Sequence, residues 1–474
     1  MRIFFGILFS SLLVAAAHGA SRADLIVYGD YLVTMGEGDG EAGSVIEQGA
    51  VAVVGNDIVA VGPRAEIDRE YSAARVVPGK GRVLMPGLVN GHTHTSMTLF
   101  RGMVDDLDLM TWLNQYVFPL EGQFVDPEFV RIGTELACLE MIRGGTTTFV
   151  DMYFYPDVIA DVTERCGLRA VVGAPMIDYP SPGFKGWEDS FAAGRAFVSA
   201  RQGKHERITP AFAPHAPYTV VPEHLEQVLA AAKELNAPIS MHLAEAPAET
   251  KMIRENYGTT PVAHVEELGM LDHTLIAAHM VQPTKAEIRM LPGHPVGAIH
   301  NPTSNLKLAA GIAPVPEMLA AGAKVGLGTD GAASNNDLDL WEEMRLAALL
   351  HKARLSDPTV MPAISALRMA TSGGAAAIGM GESVGKLAPG MRADMIQVSL
   401  ENTRLVPLYN VISHLVYAVK SDDVVTTVVS GKVLMENGRV LSLDAGKVRA
   451  AARQKAVEIA KAIAAGEKDR SSSE

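Results

Sequence analysis

The chain has 474 residues, 48% hydrophobic and 20% charged, with a formal net charge of −13. That length exceeds one average domain, and the composition supports a large packed core, which excludes global disorder. The acidic balance excludes a nucleic-acid backbone as partner, because phosphate binding needs clustered Lys and Arg.

Met1-Arg2 is a short basic start, residues 3–17 are almost wholly apolar, and the small residues Gly19, Ala20 and Ala23 follow. This is the pattern of a secretory signal peptide over residues 1–23, cleaved after Ala20 or Ala23, so export to the periplasm is expected. A buried first helix is the plain alternative. Without a twin arginine, export in the unfolded state is expected. Cys138 and Cys166 are the only cysteines and lie far from the cleavage region, which excludes a lipid-anchored cysteine. They could pair in an oxidising compartment, but two cysteines make no disulfide framework. No later segment is long and apolar enough to span a membrane, so no anchor is expected after cleavage.

From residue 24 the text alternates as strands do, over 25–28, 31–34, 49–54 and 58–61, with Gly55-Asn56-Asp57 as a turn. The same style returns at 394–398, 424–429 and 432–435, with turn signals at Gly431 and Asn437-Gly438. Two β-rich ends enclosing an α/β middle predict one small β-sandwich made from both ends, residues 24–84 and 383–441. Between them, eight short apolar runs alternate with helical patterns. The runs are 84–89, 146–150, 169–172, 208–213, 238–241, 275–278, 296–299 and 324–327; 130–142 and 222–235 read as helices. Strict β-then-α alternation implies a parallel sheet, and eight repeats over residues 85–382 fit a (β/α)8 barrel. A doubly wound open sheet is the structural alternative. Residues 442–474 are expected to form a C-terminal helix over 443–465 and a disordered polar tail from 467.

Titratable residues gather where these runs end, the end at which barrel active sites lie. The first run leads into His92-Thr93-His94, the fifth into His242, the sixth into His279 and the eighth into Asp330. Residues two apart on a strand point the same way, so His92 and His94 can share one ion. Alone, such a pair reads equally well as two satisfied histidines; five such residues at four strand ends do not. Three imidazoles and a carboxylate suit one divalent ion, zinc first and Fe2+ second, with a position left for water. No lysine stands in 146–172 or 208–213 to bridge two ions, so one metal is expected.

The stretch from Leu84 to His94 resembles the amidohydrolase superfamily. The nearer likeness is to its branch of 5'-methylthioadenosine/S-adenosylhomocysteine deaminases and triazine hydrolases. It covers residues 24 to about 444, with its specific stretches at 97–102, 144–153, 241–245, 300–308 and 328–336. The resemblance implies metal ligation by His92, His94, His242 and Asp330. It implies that Glu245 passes a proton to the substrate ring, that His279 orients the attacking water, and that Asp330 relays the water proton. It assigns Glu121 to the ribose hydroxyls, His215 to a further substrate contact and Trp112 to an apolar wall. The plain alternatives are a solvated helix-start carboxylate for Glu245 and a surface salt-bridge partner for Glu121. Asn301, Ser304 and Asn305 read as builders of loop hydrogen bonds. The implied activity is deamination of a purine nucleoside such as 5'-methylthioadenosine or adenosine, a small-molecule substrate. The alternative is an amidohydrolase of a triazine, a guanine-like base or a cyclic amide. One departure bears on the choice: branch members that accept S-adenosylhomocysteine carry an arginine just after the third strand. Here no arginine stands between Arg169 and Arg195. Whether the chain self-associates is left open.

Overall fold

The computed structural model describes residues 20–36 and 45–471, with side chains described up to residue 464. Most of the expected signal segment therefore lies outside the described residues.

Eight parallel strands form the barrel: Leu88–Thr93, Thr146–Met152, Arg169–Met176, Ile208–Pro214, Ile239–Leu243, Leu275–His279, Val296–His300 and Lys324–Leu327. Side chains alternate across its wall. Val89, Val150, Val171, Ala211, Ile276 and Ile299 fill the interior as one small apolar cluster, while neighbours such as Ala170 and Val172 face the helices. The helix Ser372–Ala377 adds Ala375 and Ala377 to that inner cluster. The first and eighth strands meet through a polar seam. The Asp330 N–H donates to the His92 carbonyl at 2.9 Å, and Asn90 exchanges bonds of 2.8 and 3.1 Å with Thr329. Barrel closure and the candidate site thus use the same residues.

Helix ends follow local chemistry. The expected helix over 130–142 runs Pro127–Gly144: the Asp126 carboxylate accepts the Phe129 N–H at 2.7 Å, Pro127 opens the first turn, and Gly145 at φ 83° ends the last. The helix Pro222–Leu235 matches its expected bounds.

The small domain is one nine-stranded mixed sheet built from both chain ends. Its strand Ser21–Val33 takes Tyr71–Val77 as a parallel neighbour along one half and Arg82–Pro86 along the other. That change of neighbour is why two expected strands are one. A further difference concerns the run 84–89. Arg82–Pro86 belongs to the small sheet, antiparallel to Met395–Ser399, and the barrel begins at Leu88 and not at residue 85. Gly87 is the joint: a Cβ there would sit 2.1 Å from Thr147 Oγ1. The C-terminal helix runs Ala445–Ser471, past residue 467 where a disordered tail was expected, because its Ala, Lys, Glu and Arg are adequate helix formers. Cys138 and Cys166 are buried free thiols in contact with each other. No helix among the described residues is long and apolar enough to cross a membrane. A buried ion pair joins barrel and sheet: Arg169 donates to Asp394 at 2.8 and 3.2 Å and to Ser430 at 2.9 Å.

Candidate active site

The structure brings His92, His94, His242, His279 and Asp330 together at the C-terminal mouth of the barrel. The ring of His92 lies 4.9, 5.0 and 5.3 Å from those of His94, His242 and His279. Asp330 Oδ1 lies 3.3 Å from His92 Nε2 and 3.2 Å from His94 Nε2. One ligand atom from each of His92, His94 and His242 lies within 4.8 Å of the others, and the same holds for His92, His279 and Asp330.

Hydrogen bonds around the rings decide what the cluster can hold. Backbone carbonyls only accept, so His94 Nδ1–H donates to Met152 at 2.7 Å and His242 Nδ1–H to His215 at 2.7 Å. Both Nε2 lone pairs then face inward, 3.2 Å apart and beside a carboxylate. The nitrogens of His92, fully buried, have no hydrogen-bond partner. Such an arrangement is repulsive without a shared cation and complementary to one, and carbonyl partners on Nδ1 are the usual outer support of metal-bound histidines. Two merely satisfied histidines are excluded. Burial raises the Asp330 carboxyl, but the imidazoles of His92 and His94 beside it outweigh that and hold it well below the usual range. Its Oδ2 accepts the hydroxyls of Ser304 and Ser334 at 2.6 and 2.9 Å.

Glu245 and Glu121 are each 4% exposed, so neither is a solvated surface carboxylate. Burial first, and the Asp330 charge next, push Glu245 up to about 8. Its Oε1 lies 3.7 Å from His279 Nε2. His279 Nδ1 lies 2.8 Å from Asn305 Oδ1 and 3.2 Å from Asn301 Nδ2; the shorter contact assigns Nδ1–H as donor and leaves Nε2 bare. Asn305 and Ser304, read from sequence as loop builders, thus fix His279 and Asp330 directly. Burial pushes Glu121 up to about 7 against the Tyr153 hydroxyl beside it. Thr219 O–H donates to the Ala216 carbonyl, so His215 Nδ1–H donates to Thr219 Oγ1 at 2.9 Å and its Nε2 is free to accept. Burial drives His215 down to about 3 and keeps it neutral.

Trp112, Glu121, His215, Glu245 and His279 line one mostly apolar cavity of ≈ 80 Å³ together with His94, His242 and Asp330. Trp112 begins a π-helical stretch, Trp112–Val117. Through Leu113, Phe118, Glu121, Phe154, Ile177 and Tyr218 the cavity adjoins an outer chamber of ≈ 680 Å³. Two cavity hydroxyls escaped the sequence reading. Tyr153 follows Asp151 and Met152 at the end of the second strand, a position that could have flagged it; Tyr218, whose hydroxyl has no partner, sits in a loop with no such signal.

A parallel barrel with a His/Asp metal cluster at its C-terminal mouth defines a metal-dependent hydrolase. Residues 83–434 match the amidohydrolase family. The chain is 45% identical over 92% of its length to a protein from Pelotomaculum thermopropionicum named 5-methylthioadenosine/S-adenosylhomocysteine deaminase, and covers 99% of it. It is similar, with a TM-score of 0.90, 40% identity and 94% of this chain against 100% of the other, to the zinc-bound crystal structure of an adenosine deaminase from Xanthomonas campestris. A triazine hydrolase variant resembles it at a TM-score of 0.84 and 25% identity over 92% of this chain and 99% of that one. The chain belongs to the amidohydrolase family and is a hydrolase of carbon–nitrogen bonds other than peptide bonds.

Proposed function

We propose that the chain is a metal-dependent deaminase of purine nucleosides, replacing the ring amino group by oxygen and releasing ammonia. The observation that carries this is Glu245, a buried carboxyl pushed up to about 8 that stands 3.7 Å from His279 beside the metal cluster. At neutral pH it keeps its proton, and attack on an aminated ring carbon needs such a donor at the adjacent ring nitrogen. His92, His94, His242 and Asp330 would hold the ion, zinc by the donor set and by the zinc in the Xanthomonas structure. When bound, a divalent ion lowers the pKa of water so that a nucleophile exists near neutral pH. His279, its ring fixed by Asn305, orients that water with its bare Nε2. Asp330 accepts the water proton and returns it to the departing amine, so ammonia leaves instead of amide. Glu121 accepts the ribose hydroxyls, the neutral His215 offers a further acceptor, and Trp112 walls the ring.

The outer chamber narrows the substrate. Its lining includes Met110, Phe154, Ile177, Tyr179, Pro180 and Met252 and, among the described residues, no Lys, Arg or His. The residues at the end of the third strand, where an arginine would sit, are Pro175, Met176 and Ile177. An amino-acid carboxylate there would have no bidentate partner, whereas a methylthio or hydroxymethyl group needs none. The reading is therefore 5'-methylthioadenosine or adenosine ahead of S-adenosylhomocysteine. The test is a set of kcat/KM values for the zinc-loaded protein on adenosine, 5'-methylthioadenosine, S-adenosylhomocysteine, adenine and an aminotriazine. Both favoured nucleosides should exceed adenine, and Glu121→Ala should erase about ten- to a hundredfold of that preference, the worth of a charged hydrogen bond. Fast turnover of the triazine alone would move the chain to the rival hydrolase reading.

We also propose that the protein is exported. Support comes from the apolar run at 3–17 and the small residues that follow it. Ser21, Arg22 and Ala23 already pair with Tyr71, Ser72 and Ala73, and Ala23 is fully buried. Cleavage after Ala20 keeps that pairing; cleavage after Ala23 removes it.

A further inference from the structure

The turn that carries Glu245 is met by a second buried carboxyl group. Glu249, in the first turn of the helix Pro247–Tyr257, is 1% exposed. Its Oε1 accepts the Ala244 N–H at 3.0 Å and its Oε2 the Glu245 N–H at 2.6 Å. Ala244 is left-handed at φ 52°, a conformation that a residue with a Cβ keeps only when its surroundings enforce it. They do so from both sides. The Ala244 carbonyl receives the N–H groups of Val281 and Gln282 at 2.9 and 2.8 Å, and the Leu243 carbonyl receives that of Met280 at 3.1 Å. Those donors belong to the turn that follows His279, itself left-handed at φ 76°. The two turns are therefore fastened to each other through carbonyls, and Glu249 fastens the opposite, N–H side of the Glu245 turn.

We propose that Glu249 is a positioning residue, whose two carboxyl oxygens hold the backbone of Ala244 and Glu245 so that the Glu245 carboxyl stands beside His279. Without it, two buried N–H groups lose their acceptor and Ala244 is held from its carbonyl side alone. Glu245 then swings from its place 3.7 Å from His279 Nε2. The inference rests on the reading of Glu245 as proton donor, and the experiment separates the two.

The experiment is a double-mutant cycle on the full, zinc-loaded chain: wild type, E249A, E245Q and E245Q/E249A. Each is assayed for kcat, KM and zinc content on adenosine or 5'-methylthioadenosine, whichever wild type turns over faster, with single-turnover ammonia release for the slow variants. E249A should lower kcat by about ten- to a hundredfold, the usual effect of a displaced catalytic group, with zinc content unchanged and KM within about threefold. In the E245Q background the same change should cost less than about threefold, since a group acting through Glu245 has nothing left to position. E249Q, which keeps one acceptor, should recover part of kcat, and it replaces E249A in the cycle should E249A not fold. An equal loss in both backgrounds, or no loss in either, overturns the positioning role. Near-wild-type turnover by E245Q itself would instead overturn the proton-donor reading.

Discussion

Glu121 shows how burial alone changes a side chain's behaviour. A carboxyl with an ordinary value of 4.5 is pushed up to about 7 by desolvation, against the pull of Tyr153 and His94. The unfolded chain releases that proton near 4.5, while the folded chain keeps it until about 7. Between those values the folded state binds more protons, so stability falls as pH rises through the window and stays low above it. Glu121→Gln removes this cost. The variant's thermal midpoint should exceed that of wild type by more at pH about 8 than at pH about 4.5. Equal differences at the two pH values would contradict the buried, uncompensated state of Glu121. The residue types at the site were readable in the sequence; the burial of Glu121 and Glu245 was not, because it is set by packing against segments distant in the chain.

At the scale of elements, the strands set which residues reach the mouth, and the turns beyond them set where the side chains point. On the sixth strand Ile276 faces the barrel interior, so simple alternation would aim His279 outward. The left-handed φ of 76° at His279, like that of 64° at Asp330, redirects both. Turns of this kind hold only if the strands keep their places against the inner helix. Gly297 on the seventh strand packs so closely that a Cβ would lie 1.8 Å from the Ala377 carbonyl oxygen. Gly297→Ala should therefore force strand and helix apart, at about 1–3 kcal/mol or more, and lower the thermal midpoint by several degrees. Turnover should fall with it, because Asn301 directly follows that strand, which ends at His300, and Asn301 Nδ2 touches the His279 ring. An unchanged midpoint would show that the helix yields without cost.

For the whole molecule, the two chain ends meet in one sheet, and that sheet is tied to the barrel by the buried Arg169–Asp394 pair. In the export reading, a mature chain that starts at Ser21 keeps its first residues within that sheet. Ser21 begins the longest strand of the small domain, paired from its first residue. N-terminal sequencing of protein recovered from the periplasm should begin at Ser21, which preserves the whole pairing with Tyr71–Val77. A mature chain beginning at Asp24, or an intact Met1 in the cytosol, would contradict this reading.

The sequence by itself determined the alternation of strand and helix, the barrel it implies, the small β domain from both ends and the residue types at the strand ends. Each of these is a local signal: periodicity, a cap, a short spacing such as His92 to His94. It misplaced the start of the barrel, because Leu84 to Val89 is one apolar run in text but two strands in space, divided at Gly87 by contact with Thr147. It gave no hint that Glu249 braces Glu245 or that Asn305 fixes His279. Those bonds depend on left-handed turns at Ala244 and His279, which residues with a Cβ adopt only under tertiary constraint. The long-range contacts that impose that constraint exist only in the folded chain.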